Sequence, residues 1–319
     1  MNIVIPDDYQ DAVRGLDCFS KLAGHQVTIY RDTVKENEIL ATRFQDAEVL
    51  VLIRERTAIT GELLARLPKL KFISQTGRGT PHIDLSACTR HGVAVAAGGG
   101  SSYATAELTW GLVLAAMRHI PQEVARLKAG HWQSTIGLGL HGRTLGIFGY
   151  GKVGALVAGY GRAFGMHVLV WGREGSVMRA RADGFATVSS QKALFEQSDV
   201  LSLHIRLAPE TRGIVTASDL AAMKSSALLV NTSRAGLIEP GVLEEALRAG
   251  RPGSAAVDVY ESEPLEDHPL LHLDNVVCTP HLGYVEKDGY ENFFGTAFDQ
   301  LLAFAAGSPI NIVNPQVLE

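Results

Sequence analysis

One stretch of the sequence, residues 145–154, limits most strongly what this chain can fold into. Its first half is an apolar run typical of a buried strand, and it leads into a Gly-x-Gly-x-x-Gly motif formed by Gly149, Gly151 and Gly154. A helical pattern of apolar residues follows, and a second apolar run occupies 167–171. This order of strand, glycine loop, helix and strand is typical of a dinucleotide-binding fold.

Each glycine has a physical role in such a site. The first allows a tight turn, the second lets backbone N–H groups approach a pyrophosphate, and the third lets the helix lie close to the sheet. The positive N-terminal end of the helix then faces the phosphates. We therefore expect a dinucleotide to be bound at the loop, by Gly149, Gly151, Lys152, Val153 and Gly154.

Short apolar strands alternate with amphipathic helices along the whole chain, which predicts an α/β fold with parallel, helix-covered sheets. Strands are predicted at 2–5, 26–30, 48–53, 71–74, 93–96, 145–149, 167–171, 199–203, 227–231, 255–259 and 276–278. A glycine- and serine-rich stretch, followed by a helical pattern at 103–120 that Pro121 ends, indicates a hinge into a second domain. A last amphipathic helix, 290–306, is expected to cross back and pack on the first domain.

Charge and cysteine content exclude several classes of protein. The sequence has 29 Lys and Arg against 34 Asp and Glu, without a basic block, which disfavours a general nucleic-acid surface. No stretch is long and apolar enough for a membrane span, and the N-terminus lacks the features of a signal peptide. Cys18, Cys88 and Cys278 are scattered without metal-ligand spacing. We expect a cytoplasmic protein with no metal site and no nucleic-acid or membrane partner.

The end of the strand at 167–171 bears on the choice of cofactor. Dinucleotide-binding folds usually carry an acidic residue there, which binds the ribose 2′-hydroxyl. This chain has Gly172 and Arg173, which leave room and positive charge for a 2′-phosphate and so favour NADP(H) over NAD(H). Arg206 could add to the same anion site. The alternative is that Arg173 is a surface arginine offset by its neighbour Glu174.

Three further loops at predicted strand ends carry residues suited to catalysis, namely Arg234, Glu263 and His281. Ligands of open α/β sheets bind beyond the carboxyl ends of the strands. Arginine binds a planar carboxylate, and histidine transfers protons near neutral pH. A glutamate beside the histidine favours the imidazolium and holds the ring. Each residue alone is also consistent with an ordinary surface position, but their order after the glycine motif indicates an active site.

Motifs spread along nearly the whole chain resemble those of the D-isomer-specific 2-hydroxyacid dehydrogenases, in particular the glyoxylate/hydroxypyruvate reductase type. They lie at 140–146, 165–168, 198–204, 210–213, 223–224 and 313–315. The resemblance implies a flavodoxin-like substrate domain made of residues 1–100 and 285–319. It also implies an inserted NAD(P)-binding Rossmann domain, residues 101–284, with the active site between the two. A homodimer is expected from the resemblance, with the segment around Trp132 as a subunit contact.

By motif position, the resemblance implies that Arg234 binds substrate, that His281 is the acid/base and that Glu263 is its partner. It assigns other cofactor contacts, to Gly172, Arg173, His204, Arg206, Thr232, Asp258 and Gly283, and places Asp258 near the nicotinamide carboxamide. It assigns substrate contacts to Arg54, Arg56, Arg78 and Gly79, with the backbone of loop 77–80 on the substrate carboxylate. The chain departs from the family pattern at 80–82, at 98–100, at Arg206 and at Ala235.

These observations predict an oxidoreductase that reduces a small 2-oxo acid to the D-2-hydroxy acid, and catalyses the reverse reaction, with NADP(H) favoured. Glyoxylate or hydroxypyruvate is the first expectation. The chain ends at Glu319 without the pattern of a further domain, so an allosterically regulated phosphoglycerate dehydrogenase is not expected. The alternative is a dinucleotide-sensing, corepressor-like binding protein with little or no turnover, and a turnover assay separates the two.

Overall fold

Two parallel sheets, each with its own helices, are formed by the chain in the computed structural model, which describes residues 1–319. One compact unit comprises Met1–Ser101 and Glu286–Glu319, and the other comprises Ser102–Val285. The central strands of both sheets are apolar runs buried on both faces, and this is the pattern that parallel, helix-covered sheets require. Which unit carries the substrate and which the cofactor stays a prediction.

The first unit contains a five-stranded sheet in the order β2-β1-β3-β4-β5, with every neighbouring pair parallel. Its strands are β1 (Asn2–Ile5), β2 (Gln26–Ile29), β3 (Val49–Leu52), β4 (Phe72–Thr76) and β5 (Ala94–Gly98). Its first helices are α1 (Asn37–Phe44), α2 (Gly61–Leu64) and α3 (Leu85–Arg90). This strand order is that of the flavodoxin-like folds, as predicted.

The second unit contains a seven-stranded parallel sheet in the order β12-β11-β10-β9-β6-β7-β8. Its strands are β6 (Thr144–Phe148), β7 (His167–Trp171), β8 (Ala186–Thr187), β9 (Val200–Leu203), β10 (Leu228–Asn231), β11 (Ser254–Val257) and β12 (Val276–Cys278). Its helices are α4 (Tyr103–Met117), α5 (Ile120–Lys128), α6 (Lys152–Ala163), α7 (Glu174–Ala182), α8 (Gln191–Gln197), α9 (Ala217–Ala222) and α10 (Val242–Arg248). The strand order reverses between β6 and β9, which is the switch point at which Rossmann folds bind ligands.

Helix α11 (Lys287–Ala305) comes from the far end of the chain and covers the sheet of the first unit. The buried Ser74 hydroxyl of β4 lies 2.8 Å from the carbonyl oxygen of Ala297 and 2.7 Å from Oε1 of Gln300. The rings of Phe72 and Phe304 stack with their centroids 4.4 Å apart. The amphipathic pattern near the C-terminus thus marks the helix that buries this face of the sheet.

The sheet of the second unit has an apolar layer on each face. Trp110, Leu145 and Val157 belong to the layer that α4 and α6 cover. Phe195 and Leu220 belong to the opposite layer, beneath α8 and α9. Two covered faces leave only the ends of the strands open to ligands, so the chemistry of this unit is confined to the loops at those ends.

The prediction of one helix at 103–120 is wrong. Helix α4 ends at Met117, and α5 begins at Ile120. Between them, His119 adopts a left-handed conformation with φ of 51°. Pro121 lies in the first turn of α5, where its missing N–H costs no hydrogen bond, so it begins a helix instead of ending one.

Several strand limits also differ from the prediction. Strands β4 and β5 extend two residues further than expected, to Thr76 and Gly98. Strand β11 ends at Val257, so Asp258 belongs to the following loop. The two-residue strand β8 was not predicted, because a segment this short has no detectable periodicity. None of the helices is both long and apolar enough to cross a membrane.

Two glycines of α6 provide a test of how closely this helix approaches its sheet. A methyl group at Gly161 would overlap the fully buried Leu145 side chain, whereas one at Gly159 would meet no atom within 4 Å. We expect Gly161→Ala to lower the free energy of unfolding by about 1–3 kcal/mol through overpacking. Gly159→Ala should raise it by about 0.5–1 kcal/mol, because alanine favours the helix.

Urea denaturation of the two variants, followed by circular dichroism, measures both changes against the wild type. Equal effects of the two substitutions would contradict the close approach of α6 to β6.

Candidate active site and cofactor loop

The glycine motif forms a tight loop between β6 and α6. Gly149 has φ of 98°, and its N–H donates to the carbonyl oxygen of Trp171 at 2.8 Å. A Cβ atom at Gly149 would lie 2.8 Å from the carbonyl oxygen of His204, and one at Gly154 would overlap the carbonyl oxygen of Gly149. A Cβ atom at Gly151 would meet nothing within 4 Å. The first and third glycines are therefore required by the fold, whereas the second borders open space.

The N-terminal end of α6 is open to an anion. Gly151 is the N-cap, and no side chain caps the helix. The first N–H groups of a helix lack partners within it, and together with the helix dipole they favour a negative group. An uncapped twelve-residue helix behind an open glycine position fits the pyrophosphate of a dinucleotide. Lys152, Val153 and Gly154 form the first turn, as the motif requires.

His204 lies beneath the glycine loop, directly after β9. Its Cβ atom is 3.3 Å from the position that a Cβ atom would take at Gly154. Its Nε2 atom is 2.9 Å from the hydroxyl oxygen of Ser202, and burial lowers the pKa of the imidazole to about 4. A neutral ring at this position packs beneath the glycine loop and adds no charge to it.

The residues predicted to meet the ribose 2′ group of the cofactor lie beside the glycine loop. A Cβ atom at Gly172 would be 3.5 Å from the Cα atom of Gly149. The next residue, Arg173, is exposed, and its Nη2 atom is 3.0 Å from Oε1 of Glu210. The alternative of a surface arginine offset by a carboxylate fits this exposure, although the carboxylate that pairs with Arg173 is that of Glu210 and not of Glu174.

Two arginines act on Glu210. A hydrogen bond from its own backbone N–H, the ion pair with Arg173 and the charge of Arg206 together lower the pKa of this carboxyl. Glu210 is therefore ionised near neutral pH. Arg173 and Arg206 were predicted to meet one anion, and Arg173 already pairs with a carboxylate of the protein, on which the charge of Arg206 also acts.

The predicted acid/base residue His281 lies in the loop after β12. Its Nδ1 atom is 2.5 Å from Oε2 of Glu263, and its backbone is left-handed, with φ of 53°. Such a conformation is uncommon outside glycine and is often found at functional positions. Burial raises the pKa of Glu263. The hydrogen bond and charge of His281, the Tyr260 N–H at 3.0 Å and the charge of Arg234 outweigh burial and lower this pKa below its usual value.

Arg234 is held at the start of the loop after β10. The buried Asn231 side chain accepts a hydrogen bond from the Ser233 N–H and donates one to the carbonyl oxygen of Arg234, both at 3.0 Å. The guanidinium donates from Nη1 to the carbonyl oxygen of Ser233 at 2.8 Å. Because its charge also acts on Glu263, Arg234 belongs to the same cluster as the His281–Glu263 pair.

The Asp258 carboxylate holds the loop that carries His281. It is fully buried, and it accepts hydrogen bonds from the N–H groups of Leu282 at 2.7 Å and Gly283 at 2.8 Å and from the Thr279 hydroxyl at 2.6 Å. Burial raises the pKa of Asp258, and these three hydrogen bonds oppose the rise. A carboxylate accepts about four hydrogen bonds, so little capacity is left for the predicted nicotinamide contact.

Helix α4 supplies residues that the sequence interpretation missed. The Thr105 hydroxyl donates to the carbonyl oxygen of Gly283 at 2.7 Å, and the hydroxyl oxygens of Thr109 and Thr232 are 2.7 Å apart. Both predicted cofactor residues, Thr232 and Gly283, are thus bound to one helix. The detectable signal was a pair of threonines four residues apart, on one face of an otherwise apolar helix.

Arg54, a predicted substrate contact, lies in the first unit just after β3. Its φ is 54°, and its N–H donates to the Thr76 hydroxyl at 2.9 Å. Its guanidinium lies across Gly77, where a Cβ atom would overlap Nη1, and over the Phe293 ring at 5.1 Å from the centroid. The Arg54 guanidinium therefore lies directly beside the loop after β4 within this unit.

The other predicted substrate residues of the first unit have different surroundings. Arg56 donates to the carbonyl oxygen of Asp7 at 2.5 Å, and its guanidinium lies 4.2 Å from the centroid of the Tyr9 ring. Arg78 is exposed and forms no ion pair. A Cβ atom at Gly79 would lie 2.9 Å from Oε1 of Glu55. Arg56 thus has a structural role near β1, whereas Arg78 keeps its charge available.

No group of three or more His, Cys, Asp or Glu side chains could hold a metal ion.

Comparisons with known proteins show the family of the chain. Residues 110–283 match the model of the family described as D-isomer specific 2-hydroxyacid dehydrogenase, NAD binding domain. The chain is 37% identical to a glyoxylate reductase of Aeropyrum pernix, over 88% of this chain and 87% of that protein. A crystal structure from Ralstonia solanacearum, described as a candidate D-3-phosphoglycerate dehydrogenase oxidoreductase, is 58% identical, with a TM-score of 0.98 and coverage of 100% and 98%.

Relatives of greater length also match. The chain is 41% identical to the D-3-phosphoglycerate dehydrogenase of Methanocaldococcus jannaschii, over 77% of this chain and 47% of that protein. The chain thus spans about half of the length of that relative. The matched family domain, described as NAD binding, contains the glycine loop, and this supports a nicotinamide dinucleotide as the cofactor.

The open space at Gly151 can be tested with the dinucleotide itself. We expect Gly151→Ala to lower the free energy of unfolding by only about 1 kcal/mol, because alanine is a poorer N-cap than glycine but meets no atom of the protein here. The added methyl group should weaken dinucleotide binding about tenfold or more, because it stands where the backbone approaches the pyrophosphate. Isothermal titration calorimetry measures the affinity, and Gly159→Ala is the matched control. Unchanged affinity in the Gly151 variant would place the pyrophosphate elsewhere.

Proposed function

The chain belongs to the D-isomer-specific 2-hydroxyacid dehydrogenases, a family of oxidoreductases, and we propose on this basis that it interconverts a small 2-oxo acid and the D-2-hydroxy acid. The observation that carries the proposal is the His281–Glu263 pair at 2.5 Å with Arg234 beside it. These residues belong to the unit that also contains the glycine loop.

His281 is the proposed proton donor to the carbonyl oxygen. The reduced nicotinamide, when bound, supplies the hydride that the carbonyl carbon receives, so one hydride and one proton convert the 2-oxo acid to the hydroxy acid. The Nδ1 atom of His281 is engaged by Glu263, which leaves Nε2 as the nitrogen that donates. The ionised Glu263 stabilises the imidazolium and fixes the ring. In the reverse direction the same ring accepts the proton.

Arginine side chains are proposed to bind the substrate carboxylate. Arg234 has the planar donor geometry for two parallel hydrogen bonds to a carboxylate. In the first unit, Arg54 and the backbone N–H groups of loop 77–80, with Gly79, are proposed substrate contacts. Glyoxylate or hydroxypyruvate is the proposed substrate type, and the identity with the Aeropyrum glyoxylate reductase supports it.

A 2-oxo acid with a second anionic group is the second candidate substrate. Arg78 supports it, because this arginine is exposed, forms no ion pair and lies in loop 77–80. The resemblance to phosphoglycerate dehydrogenases also supports it. An arginine binds a phosphate more strongly than a hydroxyl, so this residue distinguishes the two candidates.

NADP(H) is proposed as the favoured cofactor. Gly172 leaves space beside Gly149, and Arg173 places a cation where an acidic residue would exclude the 2′-phosphate. A homodimer is also proposed. Helix α5 buries none of its residues, and the nearby Trp132 and Ile136 are 77% and 94% exposed, as is usual for side chains that a second copy covers.

The proton-transfer role can be tested by replacing His281. We expect His281→Asn to lower kcat about 10²–10⁴-fold with glyoxylate or hydroxypyruvate, because the proton donor is lost. The dissociation constant of NADPH should change less than about twofold, because the ring is not proposed to hold the cofactor. Initial rates and calorimetry measure the two quantities, and the exposed His131→Asn is the control. Near-normal turnover of the His281 variant would contradict the assignment.

Wild-type protein that binds cofactor but turns over no 2-oxo acid would instead support the dinucleotide-sensing alternative.

The substrate candidates are separated by comparing kcat/KM for glyoxylate, hydroxypyruvate, pyruvate, phenylpyruvate and 3-phosphohydroxypyruvate. We expect glyoxylate or hydroxypyruvate to give the highest value, and Arg78→Gln to change that value less than about twofold, since neither substrate carries a second charge. If kcat/KM is instead highest for the phosphorylated acid, and if Arg78→Gln lowers that value about tenfold, the second candidate replaces the first.

A further inference from the structure

We propose that Glu210 sets how strongly the protein discriminates NADP(H) from NAD(H), because its carboxylate competes with the 2′-phosphate for Arg173. This inference rests on the proposed role of Arg173 in binding that phosphate. It adds a specificity-determining residue from a loop that the sequence interpretation did not connect with the cofactor.

The contact itself lies at the edge of the predicted ribose site. Arg173 follows Gly172, which borders Gly149 of the glycine loop, and it precedes the first turn of α7. Its Nη2 atom is 3.0 Å from Oε1 of Glu210, and the two side chains are 74% and 62% exposed. A cofactor phosphate that reaches Arg173 therefore meets a guanidinium that already has an anionic partner.

The backbone at Glu210 is held in place, which keeps this carboxylate within reach of Arg173. Glu210 is the middle residue of the short 3-10 helix Pro209–Thr211. The buried Thr211 hydroxyl accepts a hydrogen bond from the Ala208 N–H at 2.8 Å and donates one to the carbonyl oxygen of Arg206 at 2.7 Å. This turn anchors the loop between β9 and α9 beside the start of α7.

The two cofactors differ at the position where these charges act. The 2′-phosphate of NADPH carries a charge of about −2, whereas the 2′-hydroxyl of NADH carries none. The Glu210 charge repels the phosphate and occupies Arg173, while Arg206 attracts both carboxylate and phosphate. Removal of the Glu210 charge should therefore strengthen NADPH binding and leave NADH binding almost unchanged.

Dissociation constants of both cofactors, measured by calorimetry at low ionic strength, test the proposal without reliance on turnover. The variants are Glu210→Gln, Arg173→Gln and the double variant. Glu196→Gln is the matched control, since Glu196 is a glutamate of the same unit that also pairs with a cation, Lys192, at 3.7 Å. Glu174→Gln tests whether the neighbour in sequence has the same effect.

We expect Glu210→Gln to tighten NADPH binding about threefold to tenfold and to change NADH binding less than about twofold. High salt should reduce the gain, because both charges are exposed. Arg173→Gln should weaken NADPH binding, and in its background Glu210→Gln should have a smaller effect. Glu196→Gln and Glu174→Gln should leave the ratio of the two dissociation constants near the wild-type value.

Two failures can be told apart. If Arg173→Gln weakens NADPH binding but Glu210→Gln leaves it unchanged, Arg173 binds the phosphate and the inference about Glu210 is wrong. If Arg173→Gln leaves the affinities of both cofactors unchanged, the proposed NADP(H) preference itself is wrong, and the inference fails with it. An equal gain for NADPH and NADH in Glu210→Gln would also overturn the proposal, because it would reflect a general change in the loop.

Discussion

Burial of the Asp258 carboxylate is the constraint on which the arrangement of the active-site loops depends. A buried carboxylate is stable only when its hydrogen bonds are satisfied, and here the donors are Leu282, Gly283 and the Thr279 hydroxyl, all from the loop that carries His281. Thr105 then binds the same loop to α4 through the Gly283 carbonyl. The backbone around His281 is thus fixed from two sides, which gives the ring a defined position for the proposed proton transfer.

In two loops of the second unit a glutamate lies beside cationic side chains. The two glutamates, Glu263 and Glu210, differ in how deeply they are buried, and this gives them different properties. Glu263 is half-buried between His281 and Arg234, where a short hydrogen bond and a reduced dielectric make its charge effective in holding an imidazolium. Glu210 is exposed beside Arg173, where water and salt weaken the pair. The first arrangement suits a permanent catalytic role, and the second suits a contact that a cofactor phosphate can displace.

Much of the fold was predictable, because period and spacing are local properties of the chain. The apolar runs predicted the larger strands of both sheets, and the glycine motif predicted the loop between β6 and α6. The errors came where tertiary contacts override local signals. Pro121 was expected to end a helix but begins one, since the left-handed His119 had already separated α4 from α5. The two-residue strand β8 exists only through its pairing with β7.

The sequence by itself determined which residues are proposed to carry the chemistry, because Arg234, Glu263, His281 and the glycine loop are recognisable from residue type, order and motif. Only the tertiary structure decided how they are held and what they meet. The predicted cofactor contact of Asp258 stays a prediction, and what the fold adds is that this carboxylate binds the His281 loop. Arg173 was expected to bind a 2′-phosphate, with an offset by its neighbour Glu174 as the alternative, and the folded chain pairs it with Glu210, 37 positions further on. Hydrogen bonds and charges act through space, so partners distant in sequence become visible only when the chain is folded.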